Sequence, residues 1–408
     1  MRIEDYEPYI GPEALSRIYQ KAKPLHDAHV VNFSSTYYGG GVAAKLTSLA
    51  TLMNSLGIKA GWRIIQGNPI FFQVTKNMHN ALQGGPMELT ESKRHIYEDV
   101  NYENAVRNHL DHNIVVVHDP QPLSMIRHYP KNCPWIWRCH IDLTQPHQAL
   151  WEYLSKFINL YDAVIISTPE YAQKIRPPQF VVMPAIDPFS LINREMSPQE
   201  VDQVLRENNI PTDLPLVTQV SRFDILKDPM GVIEAYKIAR RKVDCRLVLL
   251  GSAATDDPEG DMVYGSLLSQ KDDRILIINK EDGMLVNALQ RRSAVVLQKS
   301  IREGFGLTVS EAMWKGTPVI AGNVGGIRYQ IKDGFNGFLV SAVPEAADRI
   351  VQLLQEPGLR QMIGQQAHET VRKNFLITRL LEQYLDLFNA FELSITVRKD
   401  VPLQRAMV

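Results

Sequence analysis

Ser300-Ile301-Arg302-Glu303-Gly304-Phe305-Gly306-Leu307-Thr308-Val309-Ser310-Glu311-Ala312 is the stretch on which the reading of this chain turns. It follows the apolar, β-branched run Ala294 to Leu297, the pattern of a strand covered on both faces in a parallel sheet. Leu307 to Trp314 carries a helical pattern, Gly316 is placed to stop it, and Pro318 opens the next strand, Val319 to Ala321. A strand, a glycine turn and a helix start thus come in succession. Gly304 and Gly306 let main chain approach a ligand closely. The amides around Leu307 and Thr308 would point out of the helix start, where an anion is favoured. Glu303 sits in the turn and Glu311 about two turns down the helix, as carboxylates suited to hydroxyl groups. A lone Gly-x-Gly before a helix more often marks a plain helix N-terminus with a solvated acidic face. The remainder of the chain reverses that preference.

With 408 residues, two domains are expected. Hydrophobic residues make up 45% and charged residues 22%, as in ordinary globular proteins. The net charge of −1 argues against general nucleic-acid binding. No apolar run is long enough to span a membrane, and the acidic start Met1 to Pro8 lacks a signal-peptide core, so a cytoplasmic location is expected. Cys133, Cys139 and Cys245 form an odd, sparse set without Cys-x-x-Cys spacing, which fits a reducing compartment and no structural zinc.

Working outward, Ala28 to Phe33 reads as the first strand. The glycine run Gly39-Gly40-Gly41 and a helical pattern to about Leu56 follow it. This is neither a dinucleotide fingerprint nor a P-loop. Three glycines exceed what one tight turn needs, so the run reads as a flexible lip over a phosphate or sugar. Gly67 to Glu91 reads as an irregular excursion, and His79 within it as a surface residue. Ile114 to Val117 and Trp135 to Arg138 are buried strands. They end in His118-Asp119 and in Cys139-His140-Ile141-Asp142. Ligands of open α/β sheets collect at such carboxyl ends. A break around Met183 to Pro198 separates this series from a second one that starts with the strand Leu216 to Val220. At the end of that strand, Arg222 and Lys227 offer a fork of donors and a point charge, both suited to a diphosphate. Two series of alternating strands and helices imply two doubly wound parallel-sheet domains with a crevice between them.

These residues resemble those of a known group. The pair Glu303-(x7)-Glu311, the pair Arg222 and Lys227, and the glycine turn Gly39 to Gly41 occur in the order found in retaining glycosyltransferases of the glycogen and sucrose synthase family. The segments His79 to Gly84, Val117 to Pro122, Trp135 to Asp142 and Ser300 to Trp314 are similar to the trehalose glycosyltransferring synthases, with the retaining trehalose phosphorylases next. The resemblance implies the α/β GT-B architecture, two Rossmann-like domains facing a deep cleft. Residues 1–190 would form the acceptor-side domain and 191–375 the donor domain, with a crossover helix at about 376–408 returning to the first.

The resemblance also implies roles. Arg222 and Lys227 hold the donor diphosphate. Glu303 and the amides of Gly304, Phe305 and Gly306 face the donor sugar, with Leu307 and Thr308 beside them. Glu311 accepts from the ribose, His140 lies by the transferred glucose, and Gly40 and Gly41 sit over the phosphates. Asp119, Arg138 and Asp142 fall on the acceptor side. The implied reaction moves glucose from ADP-, UDP- or GDP-glucose to glucose, giving α,α-trehalose with retention. No cofactor is required and no metal site is expected, because no Asp-x-Asp is present. Mg2+ would at most stimulate. Partners would be the sugar nucleotide and glucose or trehalose, with neither nucleic acid nor membrane, and a homodimer is allowed. Three alternatives stay open: a phosphorylase using inorganic phosphate, a hexosyltransferase with another acceptor, and a sugar-nucleotide-binding module without turnover. A retaining hydrolase is disfavoured, since nothing in the sequence sets two carboxylates at the ~5–5.5 Å it needs.

Overall fold

Uninterrupted apolar strands demand cover on both faces, and helices supply it here on either side of two separate sheets. The computed structural model describes residues 1–35, 40–251 and 258–400, with backbone alone at 40–44, 258–259 and 392–400. The first part runs α1 (Glu7–Ala22), β1 (His29–Ser34), α2 (Gly40–Ser55), β2 (Lys59–Ile64), α3 (Pro69–Leu82), α4 (Glu91–Arg107), β3 (Ile114–His118), β4 (Trp135–Arg138), α5 (Gln148–Ile158), β5 (Ala163–Ile166) and β6 (Gln179–Val181). The second part runs α6 (Pro198–Glu207), β7 (Leu216–Val220), α7 (Pro229–Ala239), β8 (Arg246–Gly251), α8 (Pro258–Leu268), β9 (Ile275–Asn279), α9 (Gly283–Arg292), β10 (Ser293–Gln298), α10 (Leu307–Trp314), β11 (Val319–Gly322), β12 (Phe338–Val340), α11 (Val343–Gln355), α12 (Pro357–Asn374) and α13 (Ile377–Asp400).

The sheets have the orders β2-β1-β3-β4-β5-β6 and β12-β11-β10-β7-β8-β9, all pairs parallel. Both are doubly wound, as expected. Strand order reverses between β1 and β3 in the first sheet and between β10 and β7 in the second. Loops leaving adjacent strands at such a point diverge to opposite faces and open a crevice. The loops singled out in the sequence leave these four strands. The glycine run follows β1, His118-Asp119 closes β3, Arg222 to Lys227 follows β7, and Ser300 to Gly306 follows β10.

The chain crosses between the sheets twice, and the two crossings are joined. Ile186 donates to the Phe375 carbonyl at 2.8 Å and accepts from the Ile377 amide at 2.8 Å. Asp187 accepts from the Tyr6 hydroxyl at 2.9 Å and from Ser48 Oγ at 2.5 Å, fixing the first crossing to α2 and to the N-terminal segment. α13 then returns to the first sheet. It buries Ile377, Leu381, Leu385 and Phe388 with Val116, Ile136 and Ile165 from the strands. This helix reaches Asp400, within the crossover expected at about 376–408, and residues 401–408 lie outside the described residues.

One expectation fails. Gly67 to Glu91 is not irregular throughout, because α3 occupies Pro69–Leu82. The Asn68 side chain accepts from the Phe71 amide, Pro69 sits at a position where its missing N–H costs nothing, and Phe71, Val74, Met78 and Leu82 form a buried face. The polar residues Asn77, His79 and Asn80 fall between those positions and hide the period. No helix among the described residues is long and apolar enough to cross a membrane.

The contact between α10 and α12 rests on main chain. A Cβ on Gly364 would lie 2.1 Å from the Gly316 carbonyl oxygen, an atom that cannot rotate away. Gly364→Ala is therefore expected to lower the unfolding free energy by about 1–3 kcal/mol. Chemical denaturation checks this, with an unchanged midpoint as the contrary result.

Candidate active site between the lobes

Glu303 is the centre of the site and is only 9% exposed. Its Oε2 accepts from Lys227 Nζ at 2.7 Å and from Ser300 Oγ at 3.2 Å, with Gln298 Nε2 at 3.5 Å. A carboxylate so far removed from water needs its cation and its hydroxyl donor together. Lys227 reaches it because Asp224 organises the preceding turn. Asp224 accepts from the Leu226 amide at 2.8 Å, and Gln219 Nε2 donates to the Lys227 carbonyl at 2.8 Å. Arg222 stands exposed at the mouth, 3.5 Å from Asp224. The two loops are tied by the Ile301 amide, which donates to the Leu226 carbonyl at 2.8 Å.

The main chain from Glu303 to Gly306 is clasped from both lobes. On one side the Tyr171 hydroxyl meets the carbonyl oxygens of Glu303 and Gly304 at 3.0 and 2.9 Å. On the other the glycine turn after β11 presses in, where a Cβ on Gly325 would lie 1.9 Å from the Glu303 carbonyl oxygen. Gly306 has φ +82° and starts α10 from a left-handed conformation, which suits glycine. Asn68, Thr90, Ser197, Asp228 and Asp282 cap their helices with side-chain oxygens. α10, like α1, α5, α11 and α12, has no side-chain cap. Its first amides and the positive end of its dipole are thus left for an anion, beside Lys227. The Phe305 ring points away and packs on Phe375 with centroids 5.7 Å apart, so only its main chain borders the cleft. Leu307 and Thr308 are half-buried in the first turn.

Glu311 is half-buried one turn before Lys315. Burial raises its carboxyl above the ordinary range, against the pull of Lys315. Burial also lowers the Lys315 ammonium to about 7, against the pull of Glu311. Lys315 Nζ donates to Asn193 Oδ1 at 2.9 Å, next to the first crossing.

Across the cleft, the His140 segment faces this loop directly. A Cβ on Gly304 would come within 2.4 Å of the His140 carbonyl oxygen. The His140 amide donates to Asp119 Oδ1 at 2.8 Å. Asp119 itself has φ +61°, a conformation that aspartate tolerates, and burial pushes its carboxyl up to about 6. Of the other residues expected on the acceptor side, Arg138 is 1% exposed and lies beneath the cleft floor, donating to the Ile166 carbonyl at 3.2 Å and to Ser167 at 3.4 Å. Asp142 is 5% exposed and accepts from the Thr144 amide at 2.8 Å. Gly39 lies outside the described residues, and Gly40 and Gly41 are the first two residues of α2.

His79 is not a surface residue. It is half-buried on α3, close enough to Lys76, Arg222 and Lys227 to feel their charge, and burial together with these cations lowers its imidazole to about 3. It is a neutral side chain beside the loop from Arg222 to Lys227. Tyr171, Gln298 and Lys45 also belong to the site or its support, and no short motif in the sequence marks them.

The comparisons with known proteins agree with this geometry. Residues 32–173 match the family "Trehalose synthase, N-terminal domain" and residues 201–370 match "Glycosyl transferases group 1". The chain is 44% identical over 399 residues to a trehalose synthase of Pyrococcus horikoshii, covering 95% of this chain and 96% of that one. It is 26% identical to a trehalose phosphorylase of Pleurotus pulmonarius over 83% of this chain and 54% of that one. Sucrose-phosphate synthase from Thermosynechococcus elongatus superposes with a TM-score of 0.71 at 18% identity, over 90% of this chain and 100% of that one, which establishes the shared GT-B fold.

The Gly304–His140 approach can be probed directly. Gly304→Ala puts a methyl group into main chain of the opposite lobe. The expected result is a fall of about 10²-fold in kcat/KM from misplaced lobes, with the thermal midpoint nearly unchanged. Full activity in this variant would show that the lobes do not need this contact.

Proposed function

We propose, from the premise that this chain belongs to the trehalose synthase family of glycosyltransferases, that it transfers glucose from a nucleoside diphosphate glucose to the anomeric hydroxyl of a second glucose, forming α,α-trehalose. The observation that carries this reading is the Lys227–Glu303 pair set beside the uncapped start of α10. A cation, a carboxylate and the helix-start amides lie there on two loops tied together by main chain.

The chemistry to be promoted is departure of a diphosphate from an anomeric carbon. Lys227, Arg222 and the Leu307 and Thr308 amides stabilise the charge that develops on the leaving group, in a site from which the lobes exclude water. They do this from fixed positions, so little reorganisation is needed as the bond breaks. Glu303 and the Gly304 to Gly306 main chain hold the sugar hydroxyls. Glu311, further down α10, accepts from the ribose. The bond from C1 to the phosphate oxygen breaks and the bond from C1 to the acceptor oxygen forms on the same face. The acceptor proton passes to the departing phosphate. No protein nucleophile takes part, and the retained configuration follows from front-face attack. The cationic pair stands where a divalent ion would otherwise neutralise the diphosphate, so no metal is required.

Two measurements test this reading. Incubation with ADP-, UDP- or GDP-glucose and glucose is expected to yield trehalose and free nucleoside diphosphate. Glucose release from trehalose with inorganic phosphate alone would instead identify a phosphorylase. Lys227→Ala is expected to reduce kcat by about 10²–10³-fold, as for loss of one preorganised donor at a developing charge. Wild-type turnover in that variant would remove Lys227 from the diphosphate. Glu311→Ala is expected to weaken nucleoside diphosphate binding by roughly 10-fold while leaving glucose affinity nearly intact. Titration calorimetry distinguishes this from the reverse pattern, which would displace Glu311 from the ribose.

A further inference from the structure

Four side chains form a directed chain beneath the first switch point. Asn32 lies on β1, His118 ends β3, His140 follows β4, and Lys45 lies on α2. Asn32 and His118 are 2% and 1% exposed. The Asn32 amide can be oriented, because its Nδ2 lies 3.4 Å from the Gly61 carbonyl and its Oδ1 turns to His118. Oδ1 is 3.0 Å from His118 Nε2. An amide oxygen only accepts, so the proton of His118 is on Nε2. In a neutral imidazole Nδ1 is then bare. It lies 3.1 Å from His140 Nε2, which must therefore donate. His140 Nδ1 is bare in turn, 3.4 Å from Lys45 Nζ, a group with an N–H to give in either protonation state. The two rings are 7° from parallel with centroids 5.4 Å apart, which suits an in-plane ring-to-ring hydrogen bond.

We propose that Lys45 is a positioning residue for glycosyl transfer: with His118 it fixes His140 as the neutral tautomer protonated on Nε2, tying the ring into the first lobe and holding the His140 carbonyl toward Gly304 and the donor. Both ring nitrogens are occupied, so the imidazole is neither acid nor base toward the acceptor. What His140 presents to the cleft is its main chain.

The surroundings agree. Burial, with Lys45 and Arg138 nearby, holds both imidazoles well below the ordinary range and hence uncharged. Lys45 faces Arg138 on β4, Asp119 after β3 and the two histidines, and Tyr384 of α13 shares the small cavity behind them. Burial and Arg138 lower its ammonium to about 7, opposed by Asp119. Lys45 has no carboxylate within ion-pair distance among the described residues, so its hydrogen bond to His140 is not a by-product of a salt bridge.

The effect on turnover rests on the proposed function, whereas the tautomers do not. Long-range 1H–15N correlation spectra of the full chain labelled at histidine, recorded from about pH 6 to 8, read the tautomers directly. His118 and His140 are expected as neutral Nε2–H forms that do not titrate. Lys45→Met should leave His140 protonated on Nε2, because His118 still accepts there, but strip Nδ1 of its donor and loosen the ring, so that the His140 15N signals shift and kcat falls by roughly 10²-fold with little change in either KM. Lys45→Gln, which retains an N–H donor, should recover part of both signals. An Nδ1–H form or a titration of either histidine in the wild-type chain would overturn the proposal. So would Lys45→Met with wild-type His140 15N signals and wild-type kcat. If Lys45→Met does not fold, the wild-type spectrum decides by itself. Expected tautomers in a chain that makes no trehalose from any nucleoside diphosphate glucose would sustain the relay and sink the proposed reaction instead.

Discussion

The two lobes meet where only a hydrogen atom fits. Gly304 presents its α-carbon to the His140 carbonyl, and a methyl group there would overlap it. Gly325 does the same toward the Glu303 carbonyl from within the second lobe. The Tyr171 hydroxyl completes the clasp from the first lobe. The side chains that support this loop, Tyr171 and Gln330, bind its carbonyl oxygens and not its amides. That leaves the start of α10 open, and it places the carboxylate of Glu303 against Lys227 rather than in solvent. The spacing of the two lobes across the cleft follows from this close approach.

The electrostatics divide along the same seam. On the second lobe, charge is kept: Glu303 and Lys227 are both largely buried, each is stabilised by the other, and Glu303 also accepts from Ser300. Such a pair contributes little net stability, because desolvation offsets most of the attraction. Its consequence is orientation, with a cation fixed at one end and acceptor lone pairs at the other. On the first lobe, charge is suppressed. His79, His118 and His140 are all neutral through burial and neighbouring cations. The cleft thus has an ion pair and a helix start on one wall and uncharged imidazoles on the other.

The paired crossings at Ile186 and Leu376 limit how the lobes can move. They lie side by side, joined by main-chain hydrogen bonds, with Asp187 gripped by Tyr6 and Ser48. Two adjacent strands of connection form a hinge, and α13 anchors one end of it in the first lobe's core. Sucrose-phosphate synthase shares this architecture at 18% identity, so the architecture tolerates wide sequence change.

Local pattern determined much of this protein. Apolar strand runs such as Ile114 to Val117 and Leu216 to Val220 require cover on both faces, so two doubly wound sheets follow from the sequence, and so do the loops at their carboxyl ends. Glu303, Lys227 and Gly304 were legible because a motif fixes their spacing along the chain. Contacts between residues far apart in sequence were not. The Tyr171 clasp spans 132 positions, the Lys45–His140 contact spans 95, and the burial of His79 depends on a neighbouring loop from the other lobe. The polar face of α3 hid its helix in the same way, because its cover comes from residues distant along the chain. Periodicity records which face of an element is buried, but only the packing of the two lobes decides what that face is buried against, and with it the charge, the tautomer and the reach of each polar side chain.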